Sequence, residues 1–427
     1  MSAAETGTAG LREAIDIPDL RWVRFFNGRL LTGEDLDREQ VSNRAARRLL
    51  GQAAGAGVAW GLEAGLATGI ESDGPVLGVE AGVAVAASGD VLELPTATML
   101  ALTATPESNG NGTGGGGFAT CQPQVPGTYT VGTGIFILTI GPASSPVGRA
   151  PVSGLPGTEA ACNVAYTVEG VQFNLCRIAI ERALDVDADR LRNRIAHAFF
   201  GSADGARLSA TIDPFAHVDS RYGLLDQLPA GCIAPDQVPL AIVHWTSDGV
   251  RFVDRWAVRR RVTQARSARI FGYPVDDRPR SEAEAMFLQF EEELEELRDT
   301  LEEPENLAAV DRFEFLPPAG LLPVAVPNRV AGFRPDAFFG AWGSRDVATI
   351  DAERVAPLLR DSLGHEPIVV GGERVQLYRV IENDQGVAAG GVDQPVVLFA
   401  KRTLPYSGIA RFGIGIYGRS RFAPRVI

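Results

Sequence analysis

Three stretches of this 427-residue chain place chemically capable residues at suggestive spacings. Gly413, Gly415 and Gly418 match the string of a dinucleotide fingerprint, whose glycines let a pyrophosphate approach the N-terminus of a following helix. Only nine residues follow, Pro424 among them, so the expected role is a glycine-rich edge strand. Asp185, Asp187 and Asp189 begin like a calcium loop, but Arg190 and Ala196 stand where that loop needs Gly and Glu. Helix capping is the expected role there. Arg255, Arg259, Arg260 and Arg261, followed by Arg266 and Arg269, surround Trp256 and could hold phosphates and a stacked base. The whole chain carries 40 basic against 53 acidic residues, a net −13. That balance favours a competing role in which the arginines offset acidic surface, including the Glu-rich helix that follows, and no nucleic-acid partner is expected.

Other chemistry is thinner still. The four histidines form no HExxH, no GxSxG elbow is present, and His244 sits in an apolar strand as a hydrogen-bonded core residue would. Lys401 is the one lysine, so phosphate-binding or Schiff-base lysines have no other source. Cys121, Cys162, Cys176 and Cys232 show no CxxC pairing and are expected to be reduced and buried, a Cys162–Cys176 bridge between neighbouring strands being the alternative. Neither metal nor cofactor is expected. Carboxylates are plentiful, so a glycosidase-type acid pair is the one enzyme class kept open. The N-terminus has no signal-peptide pattern, and no apolar run reaches the roughly 20 residues that a membrane helix needs, so the expectation is a cytoplasmic chain without membrane insertion.

The elements that would position any site fall into a mainly β, α+β multidomain arrangement. Residues 1–20 read as a flexible tail and 21–105 as a helix-plus-sheet docking domain. In the latter, the aromatic arm Trp22, Phe25, Phe26, Leu30, Leu31 precedes a helix that Thr32 caps with Asp35 at its third position. Leu36, Ala45, Leu49 and Leu50 would form that helix's apolar face, and Trp60 opens the β-rich part. Residues 106–117 are a Gly-rich linker, 118–272 a central β-rich domain, 273–305 a capped amphipathic helix and 306–427 a C-terminal α+β module.

The clearest periodic signal is Phe287, Phe290, Leu294, Leu297 and Leu301, spaced 3, 4, 3, 4 as in a coiled coil. Ser281 with Glu284 makes a capping box, and Pro304 stops the helix. Glu293 at g and Arg298 at the next e would attract across parallel chains, so an oligomer seam is expected, with packing on the chain's own sheet as the alternative.

The run Phe25–Gln40 with Gly57–Leu66, FFNGRLLTGEDLDREQ and GVAWGLEAGL, resembles the opening of accessory and baseplate-associated proteins of phage-tail-like contractile injection systems. Glu80–Pro95, Val238–Trp245, Phe252–Arg260 and Phe315–Val324 are also similar to segments of that family, although Ala59-Trp60 and Ala86-Ala87 depart from its pattern. The resemblance implies a non-enzymatic structural component, homo-oligomeric, whose partners are other baseplate, tail or cap-ring proteins. The alternative is a fibre-like adhesin for a surface glycan or protein, anchored by Trp342, Tyr378, Tyr406 and Tyr417.

Overall fold

The structure, a computed structural model, describes residues 22–67, 75–102, 134–151, 162–178, 188–201, 223–228, 232–246, 248–262, 280–326, 331–345, 347–381, 395–402 and 404. The tail at 1–20, the linker at 106–117, Asp185, Asp187, Arg266, Arg269 and the Gly413–Gly418 string lie outside these residues.

The chain is an α+β, mainly β protein of several sheets. Helix α1 (Gly33–Ala54) leads into β1 (Gly57–Gly61), β2 (Ala64–Leu66), β3 (Val76–Val79), β4 (Gly82–Val85), β5 (Val91–Leu94) and β6 (Thr98–Ala101). These strands form two three-stranded sheets, β1-β4-β5 and β2-β3-β6. The chain turns between the sheets at Leu62, which adopts φ 57° while its side chain is fully buried. Such a conformation is costly for a bulky residue and is held here by the core around it.

The central sheet runs β10-β9-β7-β8, from β7 (Gly134–Pro151), β8 (Cys162–Ile178), β9 (Val238–Thr246) and β10 (Gly249–Asp254). Alternating residues feed two cores, as the strand period of two requires. Leu138, Ile140, Phe173 and Leu240 join Leu62, Leu77 and Leu92 of the first sheets. Ile135, Ile137 and Ile242 face α2 (Leu191–Phe200) and α3 (Leu224–Gln227). Residues 57–101 and the central sheet thus share one hydrophobic core across the boundary drawn at 106–117.

Helix α4 (Arg280–Thr300) spans two cores. Ala285 and Met286 enter the core beneath the central sheet, while Phe290 and Leu294 enter the next one. Ser281 lies inside this helix, one residue past its first, and so does not stand before it as a cap. Beyond it come α5 (Ala309–Arg312), β11 (Phe315–Leu316), β12 (Ala319–Pro323), α6 (Pro335–Phe339), β13 (Ala348–Ile350), α7 (Ala352–Ser362), β14 (Ile368–Val369), β15 (Val375–Val380) and β16 (Val396–Lys401). Although consecutive, β11 and β12 do not pair: β11 pairs with β14, while β12 joins the sheet β12-β16-β15-β13. Phe290, Phe313, Phe333, Phe338, Phe339 and Phe399 interlock on one face of that sheet with ring centroids 5.0–6.0 Å apart. Leu358 of α7 packs on the other face with Tyr378 and Leu398.

Candidate functional site

Among the described residues, the N-terminal arm and α1 carry the largest group of exposed large apolar side chains. The capping box is present: Asp35 N donates to Thr32 Oγ1 at 3.2 Å, and Thr32 N donates to Asp35 Oδ2 at 3.2 Å. Those bonds, with Arg29 paired to it at 2.8 Å, hold the Asp35 carboxyl below its ordinary range. The arm folds back along the helix, since Val23 N donates to Glu39 Oε2 at 3.2 Å and Arg29 donates to the Arg24 carbonyl at 2.8 Å.

The far end of α1 is mounted on the turn between β4 and β5. Arg48 pairs with Asp90 at 2.7 Å, and Gln52 donates to the Ser88 carbonyl at 3.0 Å. Gly51 and Gly89 meet so closely that a Cβ on Gly51 would lie 2.1 Å from the Gly89 oxygen. That contact, which no chain-breaking role explains, is why a glycine sits in the helix: α1 continues past it to Ala54. A fourth tether, Arg44 to Glu169 at 2.7 Å, reaches the β7–β8 ribbon.

Between those tethers the helix is bare. Among its 22 residues Ser42 and Gly51 are the buried ones. Leu36, Val41, Leu49 and Leu50 are exposed, as are Trp22, Phe25, Phe26, Leu30, Leu31 and Trp60; Leu30 reaches 89% and Leu50 72%. Helices in water draw most of their stability from packing an apolar face, and here that face has no cover within the described chain.

The ribbon adds to this surface in a way the sequence did not signal. Gly141-Pro142 and Glu169-Gly170 look like strand breaks, yet each pairs with residues next to the other (Pro142 with Val171, Ala143 with Gly170), so β7 and β8 run on as a hairpin past the end of β9. Val164, Tyr166 and Val168 alternate along one face of β8, with Val147 opposite Tyr166, and all four are exposed.

The expected seam on α4 is corrected by the structure. Phe290 and Leu294 are 1% and 2% exposed and packed against Phe313, Leu322 and Phe399 of their own chain. Leu297 packs at the edge of the same core, while Phe287 and Leu301 are half-buried. Glu293 does not sit at a chain boundary either. It is buried and accepts from Gln289 at 2.7 Å, while Arg298 pairs with Glu295 and Asp299 on its own helix. The 3-4 spacing identified the face of α4 that is covered, but the cover is intramolecular.

Behind that face lies a dense polar cluster. Asp254, at the end of β10, is 1% exposed and accepts from Arg192 Nε (3.0 Å), Gln289 Nε2 (3.1 Å), Trp256 N (3.1 Å) and Ala257 N (2.8 Å). Arg192 also pairs with Glu296, and its guanidinium is held firmly charged. Burial pushes the Glu293 carboxyl up to about 7, against the pull of Arg192.

The basic stretch supplies the rest. Arg255 bonds Glu292 at 2.9 Å and Glu63 at 3.2 Å, and Arg261 bonds Glu284 at 3.1 Å. Arg259 donates to the Gly61 carbonyl and lies over Trp256, while Arg260 donates to the carbonyls of Trp256, Ala257 and Arg259. Val58 and Val262 complete the seam by backbone bonds, Val58 N to Arg260 O at 2.8 Å and Val262 N to Val58 O at 3.0 Å. These arginines clamp β1, β10 and α4 together.

Asp254 and Glu293 are buried among their own partners. A small neighbouring cleft, lined by Asn193, His197, Met286, Gln289, Phe315 and Pro367 among others, presents no carboxylate, and His197 stacks on Phe315 within it. Among the described residues no group of three or more His, Cys, Asp or Glu could hold a metal ion.

Several expected positions are relocated. Tyr378 is a core residue, and the half-buried Trp342 packs edge-on against Phe339 at 5.1 Å; Tyr406 and Tyr417 lie outside the described residues. His244 rests against Phe252, and burial together with Arg251 holds its imidazole below the usual histidine range. Among the described residues no hydrogen-bond partner reaches its Nδ1. Cys162 and Cys176 occupy one strand, 14 residues apart and therefore roughly 46 Å at strand rise, which rules out a bridge between them. Cys176 instead meets Cys232, Sγ to Sγ, at 2.6 Å.

No helix among the described residues is long and apolar enough to cross a membrane. No protein-family model matches the sequence, and no curated protein matches it.

Proposed function

We propose that this chain is a non-enzymatic structural component of a phage-tail-like contractile injection particle, docking on a baseplate, tail or cap-ring protein through its arm and α1. The single observation that carries this reading is α1 itself: a 22-residue helix tethered at its ends and to the ribbon, with its leucines and the arm's aromatics facing outward. The complementary partner is a protein groove with an apolar floor, since Trp22, Phe26, Leu30 and Leu50 would be desolvated in it. The resemblance of Phe25–Gln40 and Gly57–Leu66 to the injection-system family supplies the context. Repetition of one such contact around a symmetric ring would multiply its strength through effective concentration.

Copies are brought together, in this account, by the ring they share, because the apolar residues of α4 serve their own chain. The test is fractionation of native cells. The chain should sediment with tail-tube and sheath proteins, and a Leu30→Asp/Leu50→Asp variant should move to the unsedimented fraction while keeping the wild-type circular dichroism spectrum. A wild-type chain found only apart from such particles would overturn the reading.

A further inference from the structure

Cys176 and Cys232 are separated by 56 positions in sequence, yet their sulfurs lie 2.6 Å apart, with both residues half-exposed. Cys176 stands on β8, and Cys232 begins the segment that crosses to β9. Three residues on, the Pro235 carbonyl accepts from Ser88 N at 2.8 Å. Gln237 Oε1 accepts from Thr139 Oγ1 at 3.3 Å and from Ala234 N at 3.4 Å. Ser88 belongs to the turn on which α1 is mounted, through Gln52 on its carbonyl and Asp90 on Arg48.

We propose that Cys176 and Cys232 form a thiol–disulfide site whose oxidation staples this crossing segment, and with it the seat of α1, to the central sheet. A bond of about 2.05 Å needs the two sulfurs to close by only about half an ångström. Joining them closes a loop of 56 residues, long enough for the cross-link to restrict the opened chain strongly.

The oxidant is a small-molecule disulfide of the glutathione type. A Cys232 thiolate attacks one of its sulfurs, forming a mixed disulfide and expelling one thiolate. The Cys176 thiol then passes its proton to the thiolate expelled first, and its sulfur attacks that of Cys232, expelling the second thiolate, which takes up the proton that Cys232 gave to water. Two cysteine thiols are oxidised and one disulfide is reduced to two thiols. The order follows from the environment. Burial, the hydrogen bond to Cys232 and repulsion from a Cys232 thiolate push the Cys176 thiol up to about 12, so Cys176 acts second.

The experiment treats the reduced full chain with glutathione disulfide, maps its peptides, and follows hydrogen exchange at the Ser88 amide. A single Cys176–Cys232 cross-link is expected, with exchange at Ser88 slowed at least about tenfold. The Cys232→Ser chain, whose hydroxyl preserves the shape of the site, should show neither change. A stable glutathione adduct on Cys232, a cross-link to Cys121 or Cys162, or a correct cross-link that leaves Ser88 exchange unmoved would each overturn the proposal.

Discussion

Asp254 receives hydrogen bonds from α2, from α4 and from the backbone after β10, and it has no contact with water that could replace them. Asp254→Asn turns an amide toward Arg192 and leaves that buried guanidinium short of charge. The expected loss is about 3–5 kcal/mol of stability, read as a lower denaturant midpoint. Glu293 behaves oppositely. Its carboxyl ionises near 4.5 in an ordinary setting and at about 7 in the fold. Between those values the folded chain keeps a proton that the unfolded chain has lost, so this group's contribution to stability falls as pH rises through the window. Glu293→Gln should therefore stabilise the protein by about 1–3 kcal/mol at pH 8 and converge with wild type only below about pH 4. A variant equally destabilised at both pH values would contradict the assignment. Neither residue's role was legible in the sequence, because acids in a Glu-rich helix look solvated. Arg192, which pairs with Asp254 and draws on Glu293, is distant from both in the chain and meets them only through the fold.

At the scale of elements, α1 and α4 show how far periodicity goes. The cap at Thr32 and Asp35 was readable because capping is local. The covered face of α4 was readable from its 3-4 spacing, but spacing carries no information about whose atoms provide the cover. Phe290 and Leu294 find theirs in Phe313, Leu322 and Phe399. Leu294→Asp should accordingly unfold the C-terminal core at a cost above about 4 kcal/mol, seen as lost near-ultraviolet dichroism and not as dissociation of a folded oligomer. Gly51 is the counterpart in α1. Gly51→Ala must push α1 off Gly89, so faster hydrogen exchange over residues 86–90 and in the last helical turn is expected, with the central sheet unchanged. The ribbon's continuity through Pro142 and Gly170 was hidden for a different reason: two breakers that pair with each other's neighbours do not break a hairpin.

Among the described residues, the polar cluster of Asp254, Glu293 and Arg192 is turned inward while the apolar side chains of the arm and α1 are turned outward. The buried acids and arginines tie the first sheets, the central sheet and α4 into a continuous body, while arm, α1 and ribbon present Trp22, Leu30, Leu50 and Tyr166 to solvent. The aromatic-arm-then-cap order made this surface the most legible part of the site from sequence. The ribbon's share of it and the Cys176–Cys232 contact depend on long-range register and were not legible. The most direct test of docking through this end is hydrogen exchange of the chain in isolated particles against the free chain. Strong new protection is expected across residues 22–54, with little change in the C-terminal sheet. Unaltered exchange over 22–54, with protection appearing instead on β12 to β16, would contradict docking there.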